Sequence, residues 1–370
     1  YCSYNRGTTT TSDGNTIINS GTVTGDIYGS RNTGSGSSGG DDSITNSGTV
    51  GGGIYGEDGD DTVTMETGSD SVGDDIDGGS GTDTIIYGGG TWTQNDSKVV
   101  NFEDYEIIAT ADLILEADWD IGSKTAWVSG GSLSITGSFQ GAAIDADSGS
   151  VYISGIADID EATSIIGNLD VSGTLNTGPL YVDGYADISG RVNSESSTTI
   201  DGTLHLSNGT LDSPVVTLAG GNLLSGNGTI IGEVTNYGTI SPGNFIGEID
   251  ITGSLIFASG STYIVELDSS GNSDLIAVNG SVTINGASLE TNLPKALYTD
   301  NYNWTIIKAT GGINGTFGTI TGIPDSATLN FGLDYSSTAV YLVVERIPYS
   351  SFGANSNEQA VGAALDDIVS

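Results

Sequence analysis

The chain repeats itself, and that fact constrains its fold more than any other. Asn19-Ser20-Gly21-Thr22-Val23 recurs as Asn46-Ser47-Gly48-Thr49-Val50, and Ile27-Tyr28-Gly29 recurs as Ile54-Tyr55-Gly56, both at an offset of 27 residues. The phrase returns downstream as Asn236-Tyr237-Gly238-Thr239-Ile240, and in shorter form at Asn208-Gly209-Thr210-Leu211 and Asn227-Gly228-Thr229-Ile230. Asn and Gly accept the left-handed backbone of a tight turn, and the β-branched pair that follows starts a strand. Between such turns the sequence alternates with period two, as in Ser132-Leu133-Ser134-Ile135 and Leu204-His205-Leu206. Short strands and glycine turns that simply continue, with small residues and no central aromatic cluster, fit stacked coils better than a closed sandwich or barrel. The expected fold is all-β, a parallel β-solenoid.

Composition narrows the setting. Eight Lys plus Arg against 47 Asp plus Glu give a formal charge of −39, which repels nucleic acid and anionic lipid. No stretch approaches the ~20 apolar residues of a membrane helix. Cys2 is the sole cysteine, so neither an internal disulfide nor a cysteine metal site is available, as suits export through an oxidising compartment. Opening on Tyr1 without a signal peptide is expected of a processed or truncated chain. The anticipated location is extracellular, on a bacterial outer-membrane surface or secreted.

The sequence divides into four parts. Residues 1–90 are acidic and glycine-dense, and residues 91–235 are middle rungs. Residues 236–347 carry longer, more hydrophobic strands and read as a stability core. Residues 348–370 are a linker and a helix, with Ser356 and Gln359 forming a capping box and Val361, Ala364, Leu365 and Ile368 on one helical face.

Two resemblances attach to these parts. The strings LSGNGTI (224–230), GEVTNYGTISPGN (232–244), GSTYIVELD (260–268), SDLIAV (273–278) and GGINGTF (311–317) resemble, in order and spacing, the late passenger domain of bacterial autotransporters. NEQAVGAALD (357–366) is similar to the segment that threads the barrel of that family. The resemblance implies a right-handed parallel β-helix, a surface location, and a C-terminal part that drives folding during export. It implies no single activity.

In the acidic part, Gly78-Gly79-Ser80-Gly81-Thr82-Asp83-Thr84-Ile85 matches the calcium-binding nonapeptide of RTX-type proteins. Gly59-Asp60-Asp61-Thr62-Val63, Gly68-Ser69-Asp70-Ser71-Val72 and, in part, Gly40-Asp41-Asp42-Ser43-Ile44 repeat its core. Glycines let turn carbonyls approach an ion and the carboxylate supplies charge. Asp42, Asp61, Asp70 and Asp83 are therefore the candidate Ca2+ ligands, although their offsets of 19, 9 and 13 do not form a regular array.

Catalysis finds little in the sequence. A Ser-His-Asp triad would have to recruit His205, the one histidine, and no G-x-S-x-G elbow is present. No catalytic or organic-cofactor residue is assigned, and the chain is expected not to be an enzyme. Trp92, Trp119 and Trp127, with Tyr105, are candidates for sugar stacking, against the blander alternative that they fill the interior. The expected function is a surface passenger: an adhesin, a self-associating protein joined head-to-tail or laterally, or a fibre subunit. Surface glycans or proteins of a host or neighbouring cell are its expected partners. Alternatives are a polysaccharide-active enzyme on the same scaffold and an RTX-like calcium-dependent matrix protein.

Overall fold

The structure, a computed structural model, describes residues 14–30, 39–66, 72–94, 99–268, 270–292, 302–323 and 326–369. Strands stacked in parallel form a β-solenoid, and a single helix, Ser356–Val369, follows them. The chain resolves into two units, Tyr1–Glu195 and Ser196–Ser370.

In the first unit the repeat of the sequence is one coil of the solenoid. Thr16–Asn19 lies on Ser43–Asn46, Thr22–Val23 on Thr49–Val50, and Ile27–Ser30 on Ile54–Glu57, each in parallel register. Like therefore stacks on like. Asn19 Nδ2 donates to Asn46 Oδ1 at 2.8 Å inside the core, and the rings of Tyr28 and Tyr55 stack with centroids 5.0 Å apart. Farther along, coils shorten to 18 residues and each contributes three strands. Thr125–Val128, Ser132–Ile135 and Ser138–Gly141 pair with Ala143–Ala146, Ser150–Ile153 and Ile156–Ile159.

Period-two alternation decides which side chains enter. One interior column runs Ile44, Val63, Ile85, Tyr105, Ala126 and Ile144, register partner on register partner, all buried. Turns stay small because coils nearly touch there. A Cβ on Gly155 would collide with the Gly137 carbonyl, and one on Gly173 with the Gly155 carbonyl. Trp92, Trp119 and Tyr105 are buried, and only Trp127 of the proposed stacking group is exposed, at 40%. Tyr105 meets Trp119 edge-on at 5.1 Å, and Trp119 packs near Phe139 at 5.9 Å. These rings fill the coil interior instead of facing a ligand.

In the second unit Thr203–Leu218 and Leu223–Asn236 pair along almost their whole length, with register shifts after Ser207 and Asp212. Coils then widen: Leu255 lies on Val282 and Val282 on Ile313, offsets of 27 and 31 residues. The extra volume is filled by Phe257, Tyr263 and Phe317, whose centroids lie 5.7–6.4 Å apart. The parallel stack ends on antiparallel pairs, Tyr302–Ala309 with Ala339–Arg346 and the latter with Leu329–Tyr335. The helix cap falls one residue earlier than the sequence predicts. Asn355 Oδ1 accepts the N–H groups of Asn357 and Glu358, and the Glu358 carboxylate reaches back to the Ala354 N–H. Val361, Leu365 and Ile368 are exposed on that helix.

Because each coil is packed mainly by its two neighbours, a core truncation acts locally but fully. Leu175, fully buried between Ala157 and Val192 in its column, is a clean case. Urea unfolding of Leu175→Ala should show a loss of about 2–5 kcal/mol, whereas Ser172→Ala in the adjacent exposed turn should stay within about 0.5 kcal/mol.

Candidate functional site

The acidic turns of the first unit build one continuous feature. Asp42, Asp61, Asp83 and Glu103 each stand immediately before a strand, and the strands starting at Ser43, Thr62, Thr84 and Asp104 are stacked in register. The four carboxylates therefore lie one above another. Each caps the coil before it: the Asn15 N–H donates to Asp42 Oδ1 at 2.5 Å and the Asp42 N–H to Asp61 Oδ1 at 2.6 Å. The Asp61 N–H donates to Asp83 Oδ1 at 2.7 Å and the Asp83 N–H to Glu103 Oε2 at 2.9 Å. A second, exposed row runs alongside, with the Asp60 N–H donating to Asp41 and the Thr82 N–H to Asp60.

One oxygen of each inner aspartate is accounted for, and the other is not. Asp42, Asp61 and Asp83 are 2%, 1% and 0% exposed, and Oδ2 of each is buried without a hydrogen-bond partner. Each Oδ2 faces a glycine on the opposite strand set. A Cβ on Gly29 would strike Asp42 Oδ2 and the Gly56 carbonyl, and one on Gly56 would strike Asp61 Oδ2 and the Gly78 carbonyl. At Gly78 the colliding atoms are the Asn101 carbonyl and Asp83. Carboxylate and carbonyl oxygens thus converge at three successive coils. The glycines are required because nothing larger leaves both oxygens room.

Another buried aspartate shows the ordinary alternative. In the second unit Asp274, fully buried, accepts the Gly247 N–H on Oδ1 at 2.8 Å and the Glu266 N–H on Oδ2 at 2.7 Å. Both its oxygens are used in holding strands. Burial pushes its carboxyl up to about 7 against those two hydrogen bonds.

The stack is electrostatically unbalanced. Burial pushes Asp61 up to about 6; the Asp42 N–H opposes this, and the Asp42 and Asp83 carboxylates add to it. Asp83 rises to about 6 by burial, opposed by the Asp61 N–H and reinforced by Glu103. Burial also works against ionised Glu103. There the Asp83 N–H and the Lys124 ammonium, 2.7 Å away, prevail and hold its carboxyl below the ordinary value. Lys124 neutralises the last member only.

Of the predicted ligands, Asp42, Asp61 and Asp83 are brought into line, and Asp70 lies outside the described residues. Glu103 was not anticipated. Its signal was an acid immediately before a strand at offsets of 19, 22 and 20 residues along Asp42, Asp61, Asp83 and Glu103. Among the described residues no three or more His, Cys, Asp or Glu side chains gather as a metal cage. The donor set still suits a hard cation, because calcium accepts backbone carbonyls together with carboxylates. Here the carbonyls of Gly56, Gly78 and Asn101 would complete what one buried carboxylate per coil begins.

His205 sits half-buried on its strand, with Leu204 and Leu206 fully inside and its Nδ1 2.9 Å from Ser225 Oγ.

No family model matches the chain. Over 157 residues it is 30% identical to an extracellular serine protease of Serratia marcescens, covering 39% of this chain and 15% of that protein. The chain thus spans about 15% of the length of this relative. Match and β-solenoid both agree with autotransporter-like or RTX-like passenger proteins, and the extracellular character expected from the sequence agrees with the relative's. The expectation that the chain is not an enzyme is corrected by the same finding: the relative is a protease, and this points towards enzyme activity. Among the described residues no helix is long and apolar enough to cross a membrane.

A raised carboxyl binds protons more tightly in the folded state than in the unfolded chain. Its stabilising effect is therefore complete below the ordinary aspartate value and is lost as pH rises through the folded one. Without divalent cations, the stability of the first unit should fall between about pH 4 and pH 6, the window set by Asp61 and Asp83. Far-ultraviolet thermal melts across that window should show a shallower fall in Asp61→Asn and Asp83→Asn, which keep an acceptor and remove a charge.

Proposed function

We propose that this chain is the solenoid of a secreted or outer-membrane surface protein. In this reading its acidic coils are clamped by calcium and its outer faces make contacts, in adhesion or in self-association. The observation that carries the reading is the convergence, at three coils in succession, of a buried unpartnered carboxylate oxygen with a carbonyl oxygen. Stacked charges in a dry interior repel, and a divalent cation between coils turns that repulsion into cross-linking. Each coil would hold its own ion: Asp42 with the carbonyl of Gly56, Asp61 with that of Gly78, and Asp83 with that of Asn101. The ion supplies charge neutralisation and ties each coil to the next.

A chain of this charge needs such a device outside cells, where millimolar calcium matches the weak sites of extracellular modules. A folded acidic part with calcium and a loosened one without it is then the working cycle. This is the behaviour expected of an RTX-like matrix protein as well as of an adhesin. Filament growth on adding calcium distinguishes the assembling subunit from the soluble adhesin.

The Serratia relative favours a second reading, in which the solenoid belongs to a secreted hydrolase. The sequence has one histidine, so a serine hydrolase centre within this chain would use His205, which lies against Ser225. Cleavage of a casein substrate by the purified chain, lost in both His205→Ala and Ser225→Ala, supports that reading. Cleavage surviving either substitution removes it.

Calcium titration should raise the melting temperature of the parent chain, and chelator should reverse the effect. In Asp61→Asn/Asp83→Asn the calcium increment should shrink to less than half. An equal increment in both proteins would place the ion elsewhere, and no increment in the parent would end the calcium reading.

A further inference from the structure

The exposed apolar side chains of the first unit are not scattered. Among its described residues, every large hydrophobic side chain that is exposed, except Ile18, falls between Trp127 and Tyr185. Four of them surround one sheet face, built from Ser132–Ile135, Ser150–Ile153, Asn168–Val171 and Tyr185–Ile188. Tyr152 and Tyr185 stand on that face, 45% and 42% exposed. Ile166 lies in the turn that leads into the third of these strands, and Ile156 just beyond the turn that leaves the second, 49% and 47% exposed.

The polar members of the face are acids set in a column. Tyr152 is the register partner of Asp170, and Asp170 that of Asp187. Parallel strands lie ~4.8 Å apart, so two like charges directly opposite one another destabilise the sheet. Both acids also act on Tyr185, which shares a strand with Asp187. A solenoid face gains nothing for itself by ringing carboxylates with exposed tyrosine and isoleucine.

We propose that this face binds an extended, arginine- or lysine-bearing segment of another protein. The inference rests on the reading of the solenoid as a contact surface and names the chemistry of its partner. A guanidinium can lie on the ring of Tyr152 or Tyr185 and pair with Asp170. The aliphatic stems of such residues cover Ile156 and Ile166. A neutral sugar would stack on the rings but bring no charge to the acid column. A second copy of this chain is a poor occupant, because it carries 8 basic residues in all against 47 acidic ones.

The test is binding of a fluorescein-labelled peptide of alternating Arg and Ser, followed by anisotropy at 0.15 M salt, with a neutral N-acetylglucosamine oligomer as competitor. Tyr152→Ser and Asp170→Asn should each weaken binding about tenfold, whereas Asp250→Asn, exposed on Glu248–Thr252 of the second unit, should change it less than twofold. Equal weakening by Asp250→Asn would reduce the effect to the general charge of the chain and overturn the proposal. So would displacement by the oligomer, or no binding by folded protein. The same preparation is melted with and without calcium. Peptide binding absent while calcium stabilisation persists sinks this inference alone, and absence of both ends the calcium reading with it.

Discussion

Parallel stacking in register is the interaction on which everything else here depends. Each coil hydrogen-bonds to the coil before it through its backbone, so a residue's nearest neighbour is its counterpart one coil earlier. This rewards apolar residues and amides. Ile44 on Val63 on Ile85 makes a continuous core, and Asn19 on Asn46 makes an amide pair inside it. The same geometry penalises charge, since an acid before one strand lies beside the acid before the next. The aspartate stack is the point at which the fold accepts that penalty.

The penalty is concentrated in the stack, at carboxylates that use only one of their two oxygens. Asp274 is as deeply buried, yet both its oxygens hold backbone N–H groups, so its position is explained by strand pairing alone. Asp42, Asp61 and Asp83 use one oxygen in the same way and leave the other facing a glycine. Glu103 with Lys124 shows how a coil ends such a stack when a cation is supplied by the chain itself. The first three members have no such partner among the described residues, and burial holds Asp61 and Asp83 partly protonated near pH 6.

Much of this was legible in the sequence, because a solenoid writes its coil length into its repeats. The offset of 27 residues between the two Asn-Ser-Gly-Thr-Val phrases is the register of the first coil. The alternation around Leu133 and Leu204 correctly told inside from outside. The calcium motif directed attention to Asp42, Asp61 and Asp83, which the fold stacks, but at a spacing that is not the coil's. A nine-residue unit, which pairs Asp61 with Asp70, describes half of a narrow coil, whereas the carboxylates that stack are a whole coil apart. Glu103 was missed because it lacks the flanking glycines, and register rather than motif places it. Trp92 and Trp119 could not be told from surface aromatics, since a wide coil admits a ring where a narrow one does not.

The most direct measurement is calorimetric titration of calcium into the full chain near pH 6, in two buffers of different ionisation enthalpy. If calcium enters between Asp42, Asp61 and Asp83, it must displace the protons that burial keeps on Asp61 and Asp83. The account predicts binding with proton release, seen as a heat that changes with the buffer, and release that disappears at pH 8. Binding whose heat is the same in both buffers at pH 6, or no binding at all, would contradict it.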